Sequence, residues 1–338
     1  LLRAGRWTED PPSPRKPLRK VLDLIPSELI RDFEMQMKEL RIGHTPLRRA
    51  QKLEKKLDVR RLHLKVEGEN PSGTHKDRMA LLLALDARNK GIKTMAAVTC
   101  GNYGAALAYV CGKLDMECQI YVPSTFAATR NRDIEAYGGR IVVAEGDYEA
   151  ALKASMRDIE RNRWYNANPG GVNKEIAVYS YSFISREMAQ ELGRQPDWAS
   201  VPFGNGTVIA GIWQGFRAMS MKPRILAYSN SNSAVRGLVS RSRDPIPVPD
   251  LTITEVNEPL SGNFLLDDRE GMDAVLESNG TAFEITDEDL VKASKLMKAE
   301  EGLDVLPASA GAITAIKRLD SRNHTFVAVI TGRGHGPH

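Results

Sequence analysis

Cysteine is scarce in this chain: Cys100, Cys111 and Cys118 are the only three in 338 residues, and none stands in a paired metal-ligand spacing. No metal is expected on that count, and the reducing cytoplasm is the expected compartment. Long apolar runs are missing as well. The longest, Met79 to Leu85, falls far short of the roughly 18 residues that cross a bilayer, so no membrane partner is expected. Charge of one sign is nowhere concentrated: 47 basic and 43 acidic residues leave a net charge of +4, and nucleic acid is not an expected partner either. What remains is ordinary globular usage, 42% hydrophobic and 27% charged, enough for one large domain or two moderate ones. Residues 1–20 are rich in Pro and Arg and read as a surface arm, with a transit peptide as the alternative.

From about residue 80 the hydrophobic pattern alternates. Residues 78–90 predict a helix closed by Gly91, 94–99 a strand, 105–114 a helix and 119–122 a strand. A helix over 129–137, a strand over 140–143 and a helix over 148–162 follow. Strand and helix in regular turn imply right-handed crossovers and a parallel sheet. A second series begins near Ser200, with a strand ending at Val201-Pro-Phe203, a helix over 208–219, a strand over 224–229, a helix over 287–300 and a terminal strand over 325–331. Residues 230–250 read as a Ser/Arg/Pro-rich connection. Two α/β lobes are expected, and clefts between lobes are where ligands usually sit.

The most informative stretch is Lys65-Val-Glu-Gly-Glu-Asn-Pro-Ser-Gly-Thr-His-Lys-Asp-Arg78, an extended run broken by turn signals and leading into an apolar helix. Lys76 therefore stands at a helix start, beside backbone N–H donors and the positive end of the helix. That setting favours the neutral amine which Schiff-base chemistry needs. Taken alone, any such lysine reads more plainly as a surface residue, with Asp77 and Arg78 as first-turn charges. Two further turns join a strand to a helix: Thr99-Cys-Gly-Asn-Tyr-Gly104 and Phe203-Gly-Asn-Gly-Thr-Val208. Their glycines permit close approach of backbone N–H groups to an anion, and an ordinary connection would look the same.

Together these segments resemble fold-type-II (tryptophan synthase beta-like) pyridoxal-phosphate-dependent enzymes, and among them the threonine synthases. Their lysine motif is of the type Asn-Pro-Thr-Gly-Ser-Phe-Lys-Asp-Arg, and Gly43-His-Thr-Pro-Leu47 is similar to the segment that precedes it. Leu306-Pro-Ala-Ser-Ala-Gly311 and Ile330-Thr-Gly-Arg-Gly-His-Gly336 resemble two later elements in the same order, so the likeness runs from about Gly43 to His335. The resemblance implies pyridoxal 5′-phosphate held by Lys76, Asn102 beside the cofactor ring, and Thr331 toward the ring nitrogen. It also implies a phosphate cradle at Gly204, Asn205, Gly206 and Thr207, with His75 as a further phosphate partner or a packing residue. Thr99, Cys100, Gly101, Tyr103, Gly104 and Lys174 would meet the substrate. The implied fold is α/β and two-lobed, each lobe an open, mostly parallel sheet flanked by helices: residues 1–80 and 166–338 form the large cofactor-binding lobe, and 81–165 a smaller mobile one. A homodimer is implied as well.

The sequence also departs from that pattern. Threonine synthases place Ser or Thr where Cys100 and Tyr103 stand, and their Asn-Pro-Tyr-Arg-x-x-Gly segment, with its phosphate-clamping Arg, corresponds to Asn168-Pro-Gly-Gly-Val-Asn-Lys174. Lys174 lacks the bidentate fork of an arginine. Tyr103 is a wall, a proton donor or a packing residue. Elimination or replacement on a small β-substituted amino acid is the leading reading, with threonine synthase proper, a serine/threonine dehydratase and a non-catalytic binding protein as rivals; intact Lys76 argues against the last.

Overall fold

The computed structural model describes residues 25–99, 101–124, 131–170, 173–319 and 322–334. The arm of residues 1–20, Cys100, the start of the helix expected over 129–137, and His335 with Gly336 thus lie outside the described residues. In chain order the strands are β1 (Leu47–Arg49), β2 (Arg61–Val66), β3 (Thr94–Val98), β4 (Glu117–Pro123), β5 (Arg140–Ala144), β6 (Tyr165–Asn166), β7 (Trp198–Pro202), β8 (Arg224–Ser229), β9 (Thr281–Glu284) and β10 (Thr325–Ile330). They form a six-stranded sheet, β1-β2-β10-β7-β8-β9, and a four-stranded sheet, β5-β4-β3-β6. Every pairing is parallel except β1 with β2. The chain divides into two compact units, the first within residues 45–69 and 181–334, the second within 25–44 and 70–180.

The central strands β3, β7 and β10 are buried at every residue, as parallel strands covered on both faces must be. In β10 the alternation still sorts the faces. Phe326, Ala328 and Ile330 join a core cluster with Leu226, Tyr228 and the inner side of the helix Pro307–Arg318. The edge strand β1 is three residues long and turns Arg48 and Arg49 to solvent, which blunts an edge open to pairing. The connection over 230–250 contains a seven-residue helix, Ser233–Val239. It is too short for the sequence to show a helical period, and its Ala234, Val235 and Leu238 are buried.

Each sheet has a point where strand order reverses. In the first unit β8 and β9 follow on one side of β7 while β10 lies on the other. In the second, β4 and β5 lie on one side of β3 and β6 on the other. Ligands of open α/β sheets bind outside the carboxyl ends of the strands at such points. The turn Phe203–Thr207 follows β7 and Thr331 follows β10; the turn Thr99–Gly104 follows β3 and the Ala167–Lys174 segment follows β6. Four of the sequence motifs therefore stand at the two switch points.

Candidate active site

In the second unit the lysine segment folds as a tight turn feeding a helix. Gly73, at φ +87°, donates its N–H to the Asn70 carbonyl at 2.8 Å, and the 14-residue helix Lys76–Asn89 begins at the lysine itself. The Asp77 carboxylate, 0% exposed, reaches back to the Ser72 N–H at 2.8 Å and also accepts from the Ser72 hydroxyl. Arg78 is equally buried, so these are packed groups and not solvent-facing first-turn charges. Lys76 is half-buried, with its N–H 3.4 Å from the Thr74 hydroxyl. His75 occupies the N-cap position, its Nδ1 3.3 Å from the same hydroxyl. The upstream motif is tied in directly: Gly43 N–H donates to the Asn70 side chain at 2.7 Å.

At the second unit's switch point, Gly101 precedes the helix Asn102–Lys113. A Cβ placed on Gly101 would meet nothing within 4 Å, whereas one on Gly104 would press on Ile134 at 2.9 Å. The first glycine thus borders open space and the second is required by packing. Tyr103 is 4% exposed, and its phenol donates to the Ala167 carbonyl at 2.6 Å. Val98 N–H donates to the Asn168 side chain at 2.8 Å. The two bonds fasten the Thr99–Gly104 turn to the segment that ends in Lys174, the first residue of the helix Lys174–Leu192. Tyr103 therefore acts on that segment through its hydroxyl as well as by filling space.

In the first unit, the turn after β7 leads into the helix Thr207–Ala218. Gly206 sits at φ +96°, and a Cβ there would stand 2.1 Å from the Asp267 carbonyl oxygen. Ala210 N–H closes the first helical bond onto the Gly206 carbonyl, leaving the earlier N–H groups at the head of the helix as donors for an anion. That donor set suits a phosphate. The Thr207 hydroxyl is hydrogen-bonded to the buried Asp267 carboxylate, so the donors available to a phosphate here are chiefly main-chain ones. Replacing Gly206 by Ala is expected to cost about 1–3 kcal/mol through the positive φ and the Asp267 contact. Cofactor retention should weaken with it; an unchanged melting temperature and an unchanged reconstitution titration would show that the turn needs no glycine.

Beyond β10, the Thr331 hydroxyl lies 2.9 Å from the Ser309 hydroxyl, which also accepts from Gly332 N–H at 3.0 Å. Ser309 belongs to the Pro-Ala-Ser-Ala element, and Tyr228 fixes that element by donating to the carbonyls of Ala308 and Ser309 at 3.0 and 2.9 Å. Burial holds the Tyr228 phenol far above its ordinary titration range, so it remains a donor at any working pH. A neutral hydroxyl pair is what a pyridine nitrogen would meet here. The supporting residues Tyr228 and Asp267 were not among those the sequence singled out.

A family model described as pyridoxal-phosphate dependent enzyme matches residues 38–332. A threonine synthase of Methanocaldococcus jannaschii is 28% identical over 311 residues, covering 86% of this chain and 75% of that protein. A threonine synthase of a Bacillus species is also 28% identical, over 305 residues, covering 86% and 83%. Among solved structures, maize serine racemase superposes with a TM-score of 0.77 at 20% identity, covering 92% of this chain and 95% of that one. An O-ureido-L-serine synthase gives 0.71 at 23% identity, covering 87% and 90%.

Proposed function

Because this chain belongs to the pyridoxal-phosphate dependent enzyme family, with pyridoxal phosphate as its cofactor and threonine synthases among its relatives, we propose that it catalyses elimination or replacement on a small β-substituted amino acid, with Lys76 as the catalytic base. The carrying observation is that Lys76 is the first residue of its helix, three residues after the tight Asn70–Gly73 turn. When bound, the cofactor supplies an electron sink for charge developing at the substrate α-carbon. Lys76 would hold the cofactor through its amine and, once displaced by the substrate amine, take the α-proton. The turn Thr99–Gly104 would receive the substrate carboxylate on its backbone N–H groups, with Asn102 beside the ring and Cys100, outside the described residues, in the same turn. Gly204, Asn205, Gly206 and Thr207 would hold the phosphate, with His75 as a further partner. The Thr331 hydroxyl, backed by Ser309, would meet the ring nitrogen without holding a proton on it, which tempers delocalisation into the ring and favours loss of a β-substituent.

Two features support a short substrate: the buried Tyr103 side chain, and the Asn168–Lys174 segment, which contains no arginine. A mobile lobe of residues 81–165, a larger lobe of 1–80 with 166–338, and a cytoplasmic homodimer belong to the same proposal; this functional division does not coincide with the compact units. The test is a panel of phosphoserine, acetylserine, serine and threonine, with keto acid followed by a coupled dehydrogenase and replacement followed with an added thiol. Turnover of the activated serines is the expected outcome. Keto acid from unmodified serine or threonine as the dominant product would identify a deaminase instead.

A further inference from the structure

The side chain of Asn232 is 0% exposed and lies 25 residues beyond the turn that it serves (232 against 207). Its Nδ2 donates to the carbonyls of Phe203 at 3.1 Å, Gly204 at 3.0 Å and Leu260 at 2.8 Å. Its Oδ1 accepts from the N–H groups of Ala234 and Val235. The Phe203 carbonyl takes a second bond, from the Ser229 hydroxyl at 2.6 Å. Beyond Gly204, the Asn205 carbonyl accepts from Asp267 N–H at 2.9 Å, and the Gly206 carbonyl from Ala210 N–H at 3.0 Å. Four successive carbonyls are thus held on the protein side. In a planar trans peptide the N–H points opposite to the carbonyl of the same unit. Holding these carbonyls inward therefore turns the N–H groups of Gly204, Asn205, Gly206 and Thr207 the other way.

From this arrangement we propose that Asn232 is a positioning residue for the cofactor phosphate, setting the direction of the Gly204 and Asn205 N–H groups through the carbonyls behind them; the inference rests on the assignment of the Phe203–Thr207 turn to that phosphate. A helix cap alone would use only Oδ1. The amide uses both ends, and its donor end is spent on the phosphate turn and on Leu260. Ser229 is the secondary brace: of the turn's carbonyls it bonds only Phe203, and its hydroxyl also donates to the Leu260 carbonyl at 2.8 Å. Nothing in Asn232 titrates, so the orientation it imposes is independent of pH.

The experiment compares reconstitution of the full-length apoenzyme with pyridoxal phosphate and with pyridoxal, which lacks the phosphate, in the wild type, Asn232→Ser and Asn205→Asp. Serine keeps an N-cap hydroxyl for Ala234 and Val235, but one O–H cannot serve three carbonyls. Asn232→Ser is expected to weaken pyridoxal phosphate by about 10–100-fold, the range that orienting partners carry at metal sites. Pyridoxal affinity should stay within about threefold. Asn205→Asp tests the underlying assignment, since a carboxylate at this exposed position repels a phosphate and leaves pyridoxal binding unchanged. If Asn205→Asp discriminates between the two ligands and Asn232→Ser does not, the positioning role is overturned while the phosphate turn stands. If Asn205→Asp fails to discriminate, the phosphate lies elsewhere and the inference falls with that assignment. Should Asn232→Ser not fold, Ser229→Ala removes the lesser brace and is expected to shift the same ratio in the same direction by a smaller factor; an unmoved ratio there would count against the proposal.

Discussion

Substituting Lys76 by Ala is expected to abolish the visible absorbance of the lysine-bound cofactor and to lower turnover by about 10³-fold or more, since both the covalent attachment and the proton-accepting amine are lost. The fold should survive. Lys76 is only half-buried, Ala is the best helix former at a helix start, and the Ser72–Asp77 bonds that build the turn do not involve its side chain. The nearest rival in the sequence motif is Lys65, which is 0% exposed and ion-paired with Glu187 at 2.7 Å and Glu191 at 3.0 Å. Fully buried and committed to ion pairs with two carboxylates, that amine is not free to attack a carbonyl. Borohydride reduction followed by peptide mapping gives the second readout: the wild type should carry the reduced cofactor on the peptide containing Lys76, and the variant on none. Label on Lys65 or on any other lysine, with activity kept, would overturn the assignment.

The lysine, the two glycine-rich turns and the terminal threonine were legible because each depends on neighbours in sequence: a strand end, a glycine or a turn pair, and a helix start. The residues that hold these elements in place were not. Asn232 and Tyr228 act on backbone 28 and 81 residues away and Asp267 on a hydroxyl 60 residues away, and no local pattern encodes such reach. Asn232 was hidden further by its surroundings, since Ser229-Asn-Ser-Asn-Ser233 has the composition of a loop. Buried polar residues of this kind are found only by following each carbonyl to its donor. The expected strands lie within a residue or two of the observed ones, with 224–229 exact, whereas strand order was not legible for a related reason. β7 begins at Trp198 and the sheet order places β10 beside it, but that pairing is a long-range fact. Tyr103 lies between these cases: the sequence marked it as a large residue in place of a small one, whereas the destination of its hydroxyl, Ala167, emerges only from the fold.

That destination sharpens the expectation for specificity. Phosphohomoserine should be turned over far less efficiently than the best β-substituted substrate, because it needs room and a charge clamp that this chain does not provide where the threonine synthases have them. Tyr103 fills its site and ties its hydroxyl to Ala167, and the segment onward to Lys174 offers an ammonium where an arginine fork would grip a phosphate. Losing one charged contact to a group that stays buried costs about 2–5 kcal/mol, on the order of tens to thousands in relative rate. The quantity to measure is the ratio of kcat/KM for phosphohomoserine to that for the best β-substituted amino acid, in the unmodified protein. Tyr103→Thr combined with Lys174→Arg should raise the ratio, and Tyr103→Phe, which removes only the bond to Ala167, separates the loosened segment from the added space. Efficient threonine formation by the unmodified protein would mean that another basic residue, such as Arg130 or Arg132, supplies the clamp, and that the missing arginine in the Asn168–Lys174 segment does not decide the substrate.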